Sequence, residues 1–218
     1  MSIRVLLADD HRIVRQGLRA LLSAQPDIAV VGETGDGRET VQLAESLQPD
    51  VVVMDISMPL LSGIEATRQI VSRTPEVAVV VLSMHGGDEY ILQALRAGAL
   101  GYVLKQSADT ELMMAIRAAQ RGESFLSPAI AQRVINGYLR QAEAPQTQDR
   151  YELLTERERE VLQLVAEGKS MRETADLLCI SPRTAAKHKA NMMTKLDIHH
   201  TAGLVRFAIR RGVVALDG

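Results

Sequence analysis

Val51-Val52-Val53-Met54-Asp55-Ile56-Ser57-Met58-Pro59 joins an apolar run to a single acid and then to a turn. Four apolar residues, the first three β-branched, read as a strand buried on both faces. The run stops at a carboxylate, Asp55. A charge at the end of such a strand costs folding free energy unless something uses it. The carboxyl edge of an open α/β sheet is also where ligands sit. Pro59 and Gly63 then break the chain into a loop, and Ser62-Gly63-Ile64-Glu65 has the pattern of a capping box opening a helix. On its own, Asp55 reads most simply as the cap of that strand–helix loop.

Three further runs end in the same way. Arg4-Val5-Leu6-Leu7-Ala8 ends in Asp9-Asp10, Val77 to Leu82 ends in Ser83, and Gly101-Tyr102-Val103-Leu104 ends in Lys105. In a parallel sheet all four strand ends lie on one edge, so three carboxylates, a hydroxyl and an ammonium converge there. Like charges so close repel, and a divalent cation is the natural neutraliser.

Strand-like runs near 3–8, 28–33, 51–54, 77–82 and 101–104 alternate with helix-like ones near 12–24, 37–47, 63–73, 87–97 and 108–121. Five βα units predict an α/β fold with a doubly wound, five-stranded parallel sheet. Within 108–121, Leu112, Ile116 and Ala119 form one buried stripe. Ser127-Pro128 opens a further helix to about Leu139, and the polar, proline-containing stretch from Arg140 to Asp149 reads as a linker. From Tyr151 four helix starts follow closely: Thr155 and Ser170 each lead a capping box, Ser181-Pro182 is a cap followed by proline, and Thr201 opens the last. Two short helices joined tightly near Cys179-Ile180, the second basic, form a helix-turn-helix pattern. The expected division is a domain at 1–121, a linker at 122–150 and a smaller all-α domain at 151–218.

With 218 residues, 46% of them hydrophobic, the chain can bury real cores. A single cysteine, Cys179, rules out an intrachain disulfide and fits a reducing cytoplasm. The start leads straight into a strand without the apolar region of a signal peptide, and no apolar run approaches the roughly 20 residues that span a bilayer, so a cytoplasmic protein without a membrane segment is expected. The net charge of −2 is uneven: residues 1–149 carry 13 Lys+Arg against 18 Asp+Glu, and residues 150–218 carry 12 against 9. An acidic front and a mildly basic back suit two domains with different partners.

The pattern of Asp9-Asp10, Asp55, Ser83, Tyr102 and Lys105 resembles the receiver domain of bacterial response regulators over about the first 120 residues. Leu154-Thr155-Glu156-Arg157-Glu158-Arg159-Glu160-Val161-Leu162 resembles the opening of the LuxR-type DNA-binding domain. Ser181, Thr184, His188, Lys189, Asn191, Lys195 and Leu196 resemble its recognition helix. Together they resemble the NarL/FixJ class of response regulator, a phosphorylation-controlled transcription factor rather than an enzyme.

The resemblance implies that Asp55 accepts a phosphoryl group from a sensor histidine kinase, a transfer that needs positioning and charge neutralisation more than covalent help. It implies Mg²⁺ held by Asp10, Asp55 and the Ser57 carbonyl, with Asp9 acting through a water. Lys105 pairs with the carboxylate at rest and with a phosphoryl oxygen afterwards. Ser83 donates its hydroxyl to the phosphoryl oxygens, and Tyr102 rotates inward into the space that this opens. Arg183, Thr184, Lys187, His188, Lys189, Asn191 and Lys195 are the expected contacts to double-stranded DNA. The chain departs from the family at Ala185, Ala186 and Thr174, where valine, lysine and isoleucine are usual. With Ala185 and Ala186 expected on the base-facing half of the helix, Lys187 is the first long donor there and Lys195 is left to a phosphate. A charge of +3 gives limited grip on DNA, so a homodimer is expected there, favoured by phosphorylation, with Leu204, Val205 and Ala208 either facing the partner or closing the core.

Rival readings are weaker. His11 beside the acid pair raises a transition-metal site, but one histidine among carboxylates suits Mg²⁺ poorly, and His11 reads as the start of the first helix. His199-His200 reads as a loop rather than a ligand pair. Gly86-Gly87-Asp88-Glu89-Tyr90 looks like a diguanylate cyclase signature, yet too little chain is free for that domain, and its acids suit a helix first turn. An orphan regulator independent of phosphorylation sits badly with a full acid pocket. A haloacid-dehalogenase-type phosphatase wants a second Asp where Ser57 stands, and nucleotide-enzyme motifs are missing.

Overall fold

The apolar runs become strands because each of them buries two faces at once. Val5, Leu7, Val51, Val53, Val80, Leu82 and Val103 meet Leu18, Leu22, Leu112 and Ile116 on one side of a sheet. Leu6, Ala8, Val52, Met54 and Val79 meet Val41, Ala44, Ala66 and Ile70 on the other. Each fully buried Val or Leu contributes about 1.5–3 kcal/mol, so strand register is fixed by side chains on both faces.

The computed structural model describes residues 2–84, 86–143 and 149–214, without the side chains of 136–143. It forms two compact units, Met1–Ala144 and Pro145–Gly218. The first runs β1 (Ile3–Ala8), α1 (Arg12–Ser23), β2 (Ile28–Thr34), α2 (Gly37–Leu47), β3 (Val51–Met54), α3 (Gly63–Arg73), β4 (Ala78–Ser83), α4 (Asp88–Arg96), β5 (Gly101–Leu104), α5 (Ala108–Gln120), β6 (Phe125–Leu126) and α6 (Pro128–Glu143). All strand pairs are parallel, in the order β2-β1-β3-β4-β5-β6. The chain leaves β1 toward opposite edges, which makes the ends of β1 and β3 the crevice of the sheet.

The sheet has a sixth strand where five were expected. Phe125–Leu126 pairs with Gly101 and Tyr102, and two residues are too few to show as an apolar run. Helix α6 extends to Glu143, past the expected end at Leu139. Gln141-Ala142-Glu143 are strong helix formers, so the polarity that marks a linker does not stop the helix there. The helix belongs to the first unit and packs on α4. The remainder of the expected linker, residues 144–148, lies outside the described residues.

Two close backbone approaches fix the loop after β3. At Gly63 a Cβ would lie 1.8 Å from the Asp55 carbonyl oxygen, and at Gly37 one would lie 1.9 Å from the Leu61 carbonyl oxygen. Both ends of the loop are therefore held against backbone that only glycine admits. The Ser62 hydroxyl accepts from the Glu65 amide and starts α3.

The second unit comprises a 3₁₀ turn at Arg150–Leu153 and helices α7 (Glu156–Ala166), α8 (Met171–Leu177), α9 (Pro182–Leu196) and α10 (Thr201–Arg210). Complete capping boxes at Thr155/Glu158 and Ser170/Glu173 start α7 and α8, and Ser181 with Pro182 starts α9. Ala175, Ala185, Met192, Leu196, Leu204 and Ala208 are buried.

Gly63→Ala is expected to lower the stability of the first unit by about 3 kcal/mol, because backbone rather than a flexible side chain must yield. Gly17→Ala, in open space on exposed α1, is expected to raise stability by about 0.5–1 kcal/mol. Urea unfolding of both variants checks the pair.

Candidate functional site

Parallel register brings the polar strand ends to one edge. Ala8 pairs with Met54, Met54 with Val81 and Ser83 with Leu104, so the next residues of β1, β3 and β5 emerge side by side. The Asp55 amide donates to the Ala8 carbonyl at 2.8 Å and the Asp9 amide to the Thr34 carbonyl at 3.1 Å, which extends the ladder through both aspartates.

Lys105 lies between the two carboxylates. Its Nζ is 2.8 Å from Asp55 Oδ2 and 2.7 Å from Asp9 Oδ2, and all three side chains are almost wholly enclosed. Asp10 is more open and lies 2.7 Å from His11 Nδ1. Burial pushes the Asp55 carboxyl above its ordinary range; Lys105 opposes this, while Asp9 and Asp10 add to it. Burial pulls the Lys105 ammonium down, but Asp55 and Asp9 outweigh it and the net shift is upward, so this lysine stays charged. Ligand atoms of Asp9, Asp10, His11 and Asp55 all fall within 4.8 Å of one another, close enough for a single cation to reach. His11 starts α1, as expected, and its amide donates to Asp9 Oδ1 at 2.9 Å. Ser57 is half-buried in the loop leaving β3.

Ser83 and Tyr102 are both fully buried, and the Ser83 side chain hydrogen-bonds the Tyr102 phenol. Burial drives that phenol far above its ordinary range. The inward position into which Tyr102 was expected to rotate is therefore its position here. The sequence reading missed Arg15, whose guanidinium donates to the Asp9 carbonyl; its place one turn after His11 on α1 is the signal that was available. Gly87 caps α4 with Asp88 and Glu89 in its first turn, and His200 caps α10 after an exposed His199, so the two acids lie in a helix first turn and the two histidines directly before a helix.

In the second unit, α9 presents Arg183, Ala186, Lys187, Ala190, Asn191 and Thr194 as one exposed stripe at helical spacing. Thr184, His188 and Lys189 are half-buried beside it, and Lys189 Nζ donates to Thr201 Oγ1 at 3.0 Å. Three expectations are corrected. Lys195, expected at a phosphate, has its Nζ 2.7 Å from Glu158 Oε2, tying α9 to the start of α7. Ala185, expected among the base-facing residues, is buried in the core. Leu204 and Ala208 are also buried, so they close the core, and Val205 alone of that strip is part-exposed. Thr174, where the family has isoleucine, is buried with no hydrogen-bond partner for its hydroxyl among the described residues.

Comparison with known proteins agrees with this layout. The family model of the response regulator receiver domain matches residues 5–117. That of bacterial regulatory proteins of the luxR family matches residues 152–208. The transcriptional regulatory protein LiaR of Bacillus subtilis is 42% identical over 212 residues, 97% of this chain and 99% of its own. The RcsB response regulator of Salmonella typhimurium is 30% identical, with a TM-score of 0.58 over 94% of this chain and 97% of that one. A structure of an RcsB–DNA complex is likewise 30% identical, with a TM-score of 0.60 over 95% of this chain and 98% of that one. No helix among the described residues is long and apolar enough to cross a membrane. The chain belongs to the response regulators that join a receiver domain to a LuxR-family DNA-binding domain, and it acts as a phosphorylation-controlled transcriptional regulator.

Proposed function

We propose that Asp55 is the phosphoacceptor and a sensor histidine kinase its physiological donor. The observation that carries this is the Lys105 ammonium held against Asp55 at the sheet edge, beside two further carboxylates. In the transfer, an Asp55 carboxylate oxygen attacks phosphorus, the bond to the donor nitrogen breaks, and its electron pair leaves with the imidazole. Lys105 then pairs with a phosphoryl oxygen, and Ser83 turns its hydroxyl toward the new group. Asp10, Asp55 and the Ser57 carbonyl would hold Mg²⁺, with Asp9 acting through a water; clustered hard oxygen donors fit that ion. When bound, Mg²⁺ neutralises charge on the phosphoryl oxygens.

We infer that Arg183, Lys187 and Asn191 on the exposed face of α9 enter the major groove, with Thr184, His188 and Lys189 flanking them. Lys195 is left to structure. A cytoplasmic homodimer on DNA, favoured by phosphorylation, supplies the contacts that a weakly basic domain lacks alone.

Intact mass after treatment with acetyl phosphate and Mg²⁺ tests the first reading. Wild type is expected to gain one phosphoryl group, and neither Asp55→Asn nor wild type without Mg²⁺ should gain any. Labelling of Asp55→Asn to the wild-type level would overturn the assignment.

Binding titrations over a randomised site at several salt concentrations test the second. Lys187→Ala is expected to cost about 1–3 kcal/mol on the preferred site and to flatten one base position. Uniform loss across sequences would make Lys187 a phosphate contact instead.

Lys195→Ala should leave the salt slope unchanged and lower the stability of the second unit by about 1 kcal/mol, the pair being partly solvated. Burial raises Glu158, but hydrogen bonds from Lys195 and the Thr155 amide outweigh it, and its carboxyl sits below the ordinary range. The stability from this pair is present above the unfolded glutamate value and is lost as pH falls through the folded one. Acid titration of unfolding is expected to show a larger loss in wild type than in Lys195→Ala, where only the Thr155 bonds to Glu158 remain.

A further inference from the structure

Helix α9 offers DNA fewer cations than its composition suggests. It carries Arg183, Lys187, Lys189 and Lys195. Lys189 is tied to Thr201 Oγ1 at 3.0 Å and Lys195 to Glu158 Oε2 at 2.7 Å. Arg183 and Lys187 are the long donors left on the exposed stripe, and the rest of it is short: Ala186, Ala190, Asn191 and Thr194. Phosphate contacts fix register but carry no sequence information, so base choice falls to what this stripe brings into the groove. With 3.6 residues per turn, residues four apart align in rows. Lys187 and Asn191 make a donor row, and Ala186 and Ala190 make a methyl row beside it. Each row rises about 6 Å between its two members, close to two base steps of roughly 3.4 Å.

A methyl group finds one apolar partner on a base edge in the major groove, the 5-methyl of thymine. An asparagine amide matches N6 and N7 of adenine, on the same edge of an A·T pair. Asn191 and Ala190, neighbours on the helix, therefore match the two kinds of group that A·T pairs present. At 186 the family usually has lysine, a donor suited to guanine; the alanine takes that donor away and leaves a methyl. Short side chains also let the helix approach the bases closely, which a methyl contact requires. Alanine is a strong helix former as well, but that property alone predicts no preference between thymine and uracil, which differ only in the 5-methyl.

We propose that Ala186 and Ala190 select thymines by their 5-methyl groups, and Asn191 an adenine, so that each half-site carries two thymine contacts about two base steps apart. This rests on α9 as the helix in the major groove. The full chain, treated with acetyl phosphate and Mg²⁺, first selects its preferred site from a randomised duplex. Each thymine of that site is then replaced singly by uracil, and each adenine by 7-deazaadenine, which lacks the N7 acceptor. Uracil is expected to weaken binding about fourfold, the worth of one buried methyl group, at two positions of a half-site and not elsewhere. Ala186→Gly should erase the loss at one of them and Ala190→Gly at the other. Softening of the helix by glycine weakens thymine and uracil duplexes alike, so the ratio between them reads the contact alone. Asn191→Ala should erase the loss at one 7-deazaadenine; a loss unchanged there overturns the adenine assignment. No uracil effect in wild type, a measurement that needs no substitution, overturns the thymine readout. A uracil effect that persists in both glycine variants overturns it too, because it marks DNA shape rather than contact. Lys187→Ala on the same site keeps the two readings apart. If it flattens a base position while uracil has no effect, α9 lies in the groove and only the methyl readout fails. If neither changes base preference, the placement of α9 fails as well.

Discussion

The first unit is organised around one ammonium shared by two enclosed carboxylates, Lys105 between Asp55 and Asp9. Two negative charges and one positive charge at such distances do not cancel, and Asp10 stands just outside. Enclosed ion pairs of this kind add little net stability, because desolvation offsets their attraction. Their persistence at the edge of an otherwise apolar sheet therefore points to use. Burial raises the proton affinity of Asp55 even with the Lys105 ammonium beside it. Each charge is carried by a strand fixed on both faces, so the ions meet without mobile linkers.

Backbone contacts do as much as charge to shape that edge. The loop from Asp55 to Gly63 is clamped at both ends by glycines on carbonyl oxygens, and between them Leu60 is held at φ +66°. A leucine in the left-handed region costs of order 1 kcal/mol or more and persists because its surroundings over-determine it.

In the second unit the same helix reads differently on its two sides. Ala185, Met192 and Leu196 of α9 face the core, with Lys195 at the margin bound to Glu158, while Arg183, Lys187 and Asn191 face outward. The small Ala185 and the unpartnered Thr174 hydroxyl lie where the family carries larger apolar side chains, so the helix-turn-helix core gives up apolar contact. An unmet buried hydroxyl costs about 1–3 kcal/mol.

The alternating βα order, the strand ends that carry Asp9, Asp55, Ser83 and Lys105, and the helix starts at Thr155, Ser170 and Ser181 are legible in the amino-acid order alone. These are local or periodic signals: β-branched runs, charges that interrupt them, and caps within four residues of what they cap. Whatever depends on a second element emerges only on folding. Lys195 reads as an exposed cation until α7 brings Glu158 to it. Leu204 and Ala208 read as a possible partner strip until α7 covers them. Phe125–Leu126 becomes a strand because β5 offers an unpaired edge, and α6 leaves the linker reading because Ile130 finds the cluster around Tyr102. Periodicity in one chain segment shows which faces are apolar; which neighbour meets each face is settled only when distant segments pack.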